Sequence, residues 1–360
     1  MKLRDYQEIM SATKPEQVFS MIPSTLQEEF EAYTKMYNPN ERFHEIRNFV
    51  VMQQLKLLFK KAKEIMQDYT LDEIEDGSTI TLYSTSGDVL SFDYDNHINQ
   101  RICDTYSNDS QILMVMDASW EEKGFFSNYL EKVNSFETYW RGRMDNWNNF
   151  QYSVPNVIKS FKTKDKTHYV LLIQKPCRIY PLRKVLDFFD GRMNVRHVVS
   201  IVKRLYLYAC LIDIAGMTHN AICIDNIYFA PGNEVFPGKK WSVDDIRIVG
   251  LYGGWFFTTE KSEKVSAFPR EIRDIIPDSV ERTAYSSFEV DMLAIKKVAK
   301  ELLGDVTGRN LFATHSLLCE WFNRTTCEKN AYEEFAEFER ICESVFGKAK
   351  FVDIELPFNM

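Results

Sequence analysis

The stretch Gly216–Phe229, GMTHNAICIDNIYF, constrains the fold of this chain more than any other. The apolar pattern of residues 195–215 precedes it and predicts a long buried helix. A turn at residues 230–233, Ala-Pro-Gly-Asn, follows it, and a short strand pattern then runs over residues 246–249 and ends at Gly250. The rest of the chain is arranged around this helix, loop and strand.

The loop resembles the catalytic loop of protein kinases, H-R-D-L-x-x-x-N. His219 takes the place of the His, Ala221 that of the catalytic Asp, and Asn226 that of the Asn. Asn220 and Ile222 stand for the Arg and the Leu. The resemblance implies a kinase-like shape in which His219 and Asn226 support the loop. It also implies the loss of the residue that accepts the hydroxyl proton.

Other positions that carry chemistry in kinases are changed as well. The third strand, residues 113–117, contains no lysine, and Glu131 is the candidate for its helix partner. Gly250 replaces the metal-binding Asp of D-F-G, so a divalent cation would have no charged anchor beside Asn226. The turn Ser84–Asp88 holds one glycine where phosphate binding needs several, which favours an ordinary hairpin turn.

Two structural positions match the family. Asp291 opens a sequence that resembles the kinase helix D-x-x-S-L-G-x-x-L-x-E-L-L-x-G, and that Asp anchors the catalytic-loop backbone in kinases. Pro277 and Asp278 precede it at a suitable distance for the A-P-E element, with Glu shortened to Asp278. The resemblance covers about residues 78–345, and it predicts structural roles for Asp278 and Asp291.

The order of elements predicts an α+β chain with a two-lobed protein-kinase-like fold and an N-terminal helical hairpin extension. Residues 1–70 form the hairpin, 71–176 a small β-rich lobe, and 177–360 a mainly helical lobe. In the small lobe we expect a hairpin around Ser86-Gly87-Asp88, a third strand, a helix and two further strands. Gln174-Lys175-Pro176 is the expected hinge.

The N-terminal hairpin has apolar residues at helical spacing, which include Tyr33 and Tyr37, and Pro39 breaks the first helix. The second helix is expected over residues 42–67. Tyr37-Asn38-Pro39-Asn40 resembles the Y-H-P-D of J-domains, but both the His and the Asp are Asn here. The favoured interpretation is a plain helical hairpin without the Hsp70 contact of that family.

Composition narrows the partners and the compartment. A net charge of -8 argues against nucleic acid, because no basic excess exists to replace phosphate counterions. Seven scattered cysteines without a C-x-x-C pair favour free thiols, no zinc site and a reducing compartment. The chain contains no apolar run of membrane-spanning length, and its first residues lack a signal-peptide core. We therefore expect a cytoplasmic protein without a membrane partner.

Three functional hypotheses follow. The first is a catalytically inactive, kinase-like binding, scaffold or regulatory module with a protein partner and no cofactor, although ATP binding stays open. The second is an atypical kinase or phosphotransferase with relocated carboxylates, such as Asp225 with Asp244 or Asp245. The third is a chaperone-like adaptor that works through the N-terminal hairpin.

We also expect Trp255-Phe256-Phe257 to fill the vacant nucleotide cleft.

Overall fold

The computed structural model describes residues 5–19, 23–37, 46–67, 79–100, 102–145, 147–230, 248–261, 263–309 and 315–347. The chain forms two compact units, Met1–Gly77 and Ser78–Met360. Within the described residues, no helix combines the length and the apolar character that a membrane crossing requires.

The first unit is helical. Its helices are α1 (Tyr6–Ser11), α2 (Pro23–Met36) and α3 (Ile46–Gln67). They pack around the buried side chains of Ile9, Phe19, Tyr33, Val51, Leu55 and Leu58. The J-domain-like residues Asn38, Pro39 and Asn40 lie outside the described residues, so that resemblance stays a prediction.

The β-rich lobe is built on a five-stranded antiparallel sheet with the order β3-β4-β5-β7-β6. Helix α4 (Phe125–Arg141) follows β5, so the chain order is three strands, a helix and two strands. This is the order expected of the small lobe of a kinase-like fold. The strands are β3 (Asn96–Asn99), β4 (Cys103–Ser107), β5 (Gln111–Asp117), β6 (Asn156–Lys162) and β7 (His168–Gln174).

The predicted first hairpin is not part of this sheet. Strands β1 (Thr79–Tyr83) and β2 (Val89–Asp93) form a separate two-stranded sheet around the turn Ser84–Asp88. Their inward residues cover the outer face of the larger sheet. The sequence prediction missed β3 and β4 because NHIN and CDTYS are short and polar and lack apolar alternation. The turn that corresponds to the glycine-rich loop therefore joins β3 to β4, and Gln100 lies in it.

Strand β5 separates the two faces of the sheet. Leu113 and Val115 pack with the covering hairpin. Ile112, Met114 and Met116 point the other way, into the core that α4 and the second lobe share. This alternation follows from the two-residue period of a strand.

The second lobe is mainly helical. Helices α7 and α9 cross at its centre, and α11 packs against both. Its helices are α6 (Leu182–Phe188), α7 (Val195–Ile214), α8 (Asp278–Thr283), α9 (Phe288–Leu302), α10 (Ser316–Asn323) and α11 (Ala331–Phe346), and the short α5 (Trp147–Phe150) precedes β6. Two small sheets hold β8 (Tyr180–Pro181), β9 (Met217–Thr218), β10 (Ile227–Ala230), β11 (Ile248–Leu251) and β12 (Thr259–Glu260). The two-lobed, kinase-like α+β fold predicted from the sequence is confirmed.

Candidate functional site

The loop that resembles the kinase catalytic loop lies between β9 and β10, and it is almost completely buried. Asp291, near the start of α9, accepts hydrogen bonds from the main-chain N–H groups of His219 (2.8 Å) and Asn220 (2.9 Å). This is the contact that the resemblance implies for Asp291. Burial raises the pKa of Asp291 to about 7, although the two amides oppose that rise by stabilising the carboxylate.

Asn220 links the loop to the segment that follows β11. Its main chain is left-handed (φ 62°), a conformation that Asn adopts more readily than most residues. Its Nδ2 group donates to the carbonyl oxygen of Phe257 (2.9 Å) and to Oγ1 of Thr259 (2.9 Å), and its Oδ1 accepts from Ser286. Neutral hydrogen bonds therefore fix the far end of this segment, at Phe257 and Thr259, to the loop.

His219 is wholly buried, and its ring packs edge-on against Trp255 at 5.2 Å between centroids. Burial lowers the pKa of His219 to about 3, with partial opposition from the main chain of Gly253. The imidazole is therefore neutral at physiological pH and is not in a position to exchange protons with solvent.

The pKa of His219 predicts an acid-dependent loss of stability. Below pH 6.5 the unfolded chain binds a proton on His219 while the folded chain does not, so folding becomes less favourable as the pH falls towards 3. We expect the stability advantage of the wild type over His219→Gln to shrink by about 1.4 kcal/mol per pH unit below pH 6.5. Urea unfolding of both proteins between pH 4.5 and 7.5 measures this, and a constant difference would contradict it. Asp291 titrates in both proteins, so its contribution to the pH dependence cancels in the difference between them.

Ala221, at the place of the catalytic Asp, is packed against the main chain of Gly254. Gly254 is left-handed (φ 80°), and a Cβ atom on it would lie 2.7 Å from Cβ of Ala221 and 2.8 Å from Nδ2 of Asn226. The position of the missing carboxylate is thus occupied by close backbone packing. It offers no open side to a substrate hydroxyl.

Both polar atoms of the Asn226 side chain are hydrogen-bonded within the protein. Its Nδ2 group donates to the carbonyl oxygen of Ala221 (2.8 Å), and its Oδ1 accepts from Nε2 of Gln100 (3.0 Å). Gln100 lies in the turn between β3 and β4, so this turn touches the loop directly. In a kinase the phosphates of the nucleotide would separate these two elements.

Tyr252 occupies the space that a side chain on residue 250 would need. A Cβ atom on Gly250 would overlap the ring of Tyr252. The hydroxyl group of Tyr252 donates to the carbonyl oxygen of Tyr152, and its ring meets Tyr228 edge-on at 5.4 Å. The space beside Gly250 is therefore filled by an aromatic ring.

Three tyrosines fill the space between the lobes. Tyr129, Tyr228 and Tyr252 are buried to within 1% of complete exclusion from solvent. Burial raises the pKa of all three, and the hydroxyl of Ser107 on β4 partly opposes it at Tyr228. Tyr129 donates to the main-chain oxygen of Tyr252 at 2.6 Å. We call these three residues the tyrosine cluster; it joins α4, β10 and the end of β11.

The rings of Trp255, Phe256 and Phe257 pack at a different place from the one predicted from the sequence. Their rings contact α4: Trp255 meets Phe136 at 5.6 Å, and Phe256 meets Tyr129 at 4.8 Å. The prediction that this tripeptide fills the cleft is therefore incomplete. The tripeptide packs against α4, while Tyr228 and Tyr252 fill the space beside Gly250.

The lysine–glutamate pair of kinases has no counterpart at the expected positions. The core-facing residues of β5 are Ile112, Met114 and Met116. Glu131 on α4 is 65% exposed, and it contacts the neighbouring Lys132 at 3.4 Å. The β5 side of a nucleotide site therefore carries no cation.

Lys175, in the expected hinge, is held by hydrogen bonds to other parts of the small lobe. Lys175 is buried, and its Nζ donates to the carbonyl oxygen of Asp109. Its main-chain N–H donates to the carbonyl oxygen of Ser110 (2.9 Å), and Pro176 has no N–H to offer. Burial lowers the pKa of Lys175 to about 8. These main-chain groups are not available to a purine.

Asp225, the relocated carboxylate of the second hypothesis, is held by Arg183. Nε and Nη2 of Arg183 donate to its two oxygens at 2.8 and 3.0 Å, and Nη1 donates to Glu301 at 2.6 Å. The bidentate pair engages both oxygens of Asp225 with the guanidinium group, so neither is turned towards a substrate hydroxyl. Asp244 and Asp245 lie outside the described residues.

Asp278 begins α8 and is exposed. A carboxylate in the first turn of a helix is favourable, although α8 has only six residues. The structural role predicted for Asp278 stays a prediction.

A buried ion pair of the second lobe lies between Lys296 on α9 and Glu334 on α11, at 2.7 Å.

The residues present do not fit a kinase metal or nucleotide. A magnesium ion would need a carboxylate at position 250, where the ring of Tyr252 leaves no space, and the Oδ1 atom of Asn226 is turned towards Gln100. On the nucleotide side, β5 faces the core with Ile112, Met114 and Met116, which offer no cation to phosphate groups.

Comparison with known proteins gives matches only among solved structures. No protein-family model and no curated protein matches the sequence. The structure of vaccinia related kinase 3 is similar with 12% identity, a TM-score of 0.48, and coverage of 77% of this chain and 92% of that chain. The BubR1 kinase domain is similar with 10% identity, a TM-score of 0.48, and coverage of 81% and 93%.

Sequence reasoning missed Gln100, Tyr129, Tyr228, Tyr252 and Lys132. Tyr252 stands where the resemblance has the Gly of D-F-G, so a tyrosine at that position was visible in the sequence, whereas Tyr228 lies two residues beyond the loop motif. Gln100 gave no such indication, because the strands on either side of it are short and polar.

Proposed function

We propose that this protein is a kinase-like module that does not transfer phosphate and acts by binding protein partners, as a scaffold or regulator. The observation that carries the proposal is the filled cleft between the lobes. Tyr228 and Tyr252 occupy it from the second lobe, and Gln100 closes it from the first by its bond to Asn226.

The missing chemistry supports the same conclusion. A kinase needs a base near the hydroxyl, anchored metal ions and a cation on the nucleotide. Here those positions hold Ala221, Gly250 and Met residues of β5. Catalytic groups of this kind act as a unit, and the loss of a single one costs orders of magnitude in rate.

The retained architecture supports a role in binding. Asp291 and Asn220 hold the loop and the segment after β11 together through hydrogen bonds. A surface that is ordered before it meets its partner loses less conformational entropy on association. We infer that the loop and the segment after β11 are pre-organised for a partner.

A phosphoryl-transfer assay tests the proposal against the second hypothesis. Wild type and Asp225→Asn are incubated with γ-labelled ATP, magnesium or manganese, and general protein and small-molecule acceptors. We expect no transfer above a heat-treated sample for either protein. Transfer by the wild type that disappears in Asp225→Asn would replace our proposal with an atypical phosphotransferase.

Reinstating the missing carboxylates should not create an enzyme. We expect Ala221→Asp with Gly250→Asp to show no phosphoryl transfer and to be less stable by about 3 kcal/mol or more, because both sites are closely packed. Thermal unfolding and the same transfer assay measure the two effects. A stable, active double variant would show that the space at these positions is available.

A further inference from the structure

The segment that leaves the Trp255–Phe257 turn is held on α4 by charge. We call Thr258–Lys261 together with Glu263 the strap. Its two-residue strand β12 pairs with β9, where Thr259 lies opposite Thr218. A two-residue strand contributes few ladder hydrogen bonds, so other contacts must hold the strap in place.

Lys132 on α4 supplies two of these contacts. Its side chain is only 2% exposed, and its Nζ lies 3.2 Å from Glu260 and 3.1 Å from Glu263. Burial disfavours the charged lysine, but the two carboxylates outweigh this and raise the pKa of Lys132. The main-chain N–H of Glu260 donates to the carboxylate of Glu263 (3.0 Å), which orients that carboxylate.

Neighbouring residues on the same face of α4 extend the contact. Nδ2 of Asn128 donates to the carbonyl oxygens of Phe256 (3.0 Å) and Thr258 (2.8 Å). Positions 128 and 132 are one helical turn apart and face the same way. The strap thus meets α4 through a neutral pair of hydrogen bonds at one end and a charged cluster at the other.

The residues on the two sides of the charged cluster differ in their exposure to solvent. Lys132 is buried, whereas the side chains of Glu260 and Glu263 are about half exposed, at 51% and 48%. Exposed carboxylates regain water when the contact breaks, and salt screens them while it lasts. Thr258 and Thr259, by contrast, are buried and hydrogen-bonded to the loop, so Glu260 and Glu263 form the exposed end of the strap.

We propose that Glu260 and Glu263 close over Lys132 as an ionic latch, and that loss of this latch frees the strap from α4 while both lobes stay folded. The latch reverses the polarity of the kinase lysine–glutamate pair, since the helix here provides the cation. It goes beyond the proposed function, because it concerns the chain without any nucleotide or partner.

Hydrogen exchange of the full chain, followed by mass spectrometry, tests the latch. The variants are Glu260→Gln with Glu263→Gln, and Lys132→Met, which keeps the apolar stem. The matched control is Glu337→Gln with Glu339→Gln, which removes two partly exposed carboxylates of α11 that pair with Arg340 on the same helix and with Lys203 on α7. The amides of Thr258, Lys261 and Glu263 report on the strap, since each is hydrogen-bonded within the protein.

We expect strap amides to exchange about tenfold faster or more in the Glu260/Glu263 variant, while α9 and α11 keep their protection. In the wild type, raising the salt from 0.1 to 1 M should accelerate the same amides, and the variant should no longer respond. Unchanged strap exchange in the Glu260/Glu263 variant, or equal acceleration in the control, would overturn the proposal. If Lys132→Met does not fold, the carboxylate variant alone decides.

Discussion

Replacement of Asn220 by Asp is expected to destabilise the second unit by about 3–5 kcal/mol, because it places a second carboxylate in a buried site and removes donated hydrogen bonds. The Nδ2 group of Asn220 faces the carbonyl oxygens of Thr218 and Phe257. An Asp oxygen would confront the same acceptors. The main-chain N–H of residue 220 already lies against Asp291. Urea or thermal unfolding of the purified variant measures the loss.

The control for this experiment is Asn323→Asp. The Nδ2 group of Asn323 also donates to two carbonyl oxygens, those of Gly308 and Cys319, but the residue is exposed. Water can replace the lost bonds there, so we expect a change of less than about 1 kcal/mol. Similar losses in both variants would show that the buried network around Asn220 does not hold the segment after β11.

Replacement of Lys296 by Met is expected to cost about 3–5 kcal/mol, because it leaves a buried charge without its partner. Glu334 is 1% exposed, and the only other hydrogen bond described for its side chain comes from the main-chain N–H of Glu328, at 2.8 Å. Nζ of Lys296 also lies 4.6 Å above the ring of Trp321. Chemical denaturation at pH 7 measures the loss.

A second variant separates the charge from the packing. Lys296→Met with Glu334→Leu removes both charges, and we expect it to recover most of the lost stability. Lys203→Met is the surface control, since Lys203 pairs with an exposed Glu339 at 3.6 Å and should cost about 0–1 kcal/mol. A double variant no more stable than the single one would contradict the explanation by an unpaired charge.

Local patterns predicted much of the fold. The buried helix α7, the loop after it and the helix that carries Asp291 were all expected from apolar periodicity and from the family motifs. Those elements are long or carry several marked positions. Strands β3 and β4 were missed, because four or five polar residues have no period that distinguishes a strand from a loop.

For the candidate site, the sequence alone showed which residues are absent. It shows that positions 221 and 250 have no carboxylates, but it does not show which side chains pack at those positions. Gln100 meets Asn226 across 126 positions of the chain, and Lys132 meets Glu260 across 128. Such pairs depend on the sheet order and on which face of a strand or helix each residue takes, and a single sequence does not specify either.

The central claim is that the cleft between the lobes is filled, and nucleotide binding tests it most directly. The measurement is the thermal unfolding of the purified full chain with and without ATP, in the presence of magnesium, manganese or neither. A ligand that binds the native state raises the melting temperature. We predict no shift under any of these conditions. A saturable shift with ATP, above all one that requires the metal, would contradict the filled cleft that the tyrosine cluster and Gln100 create.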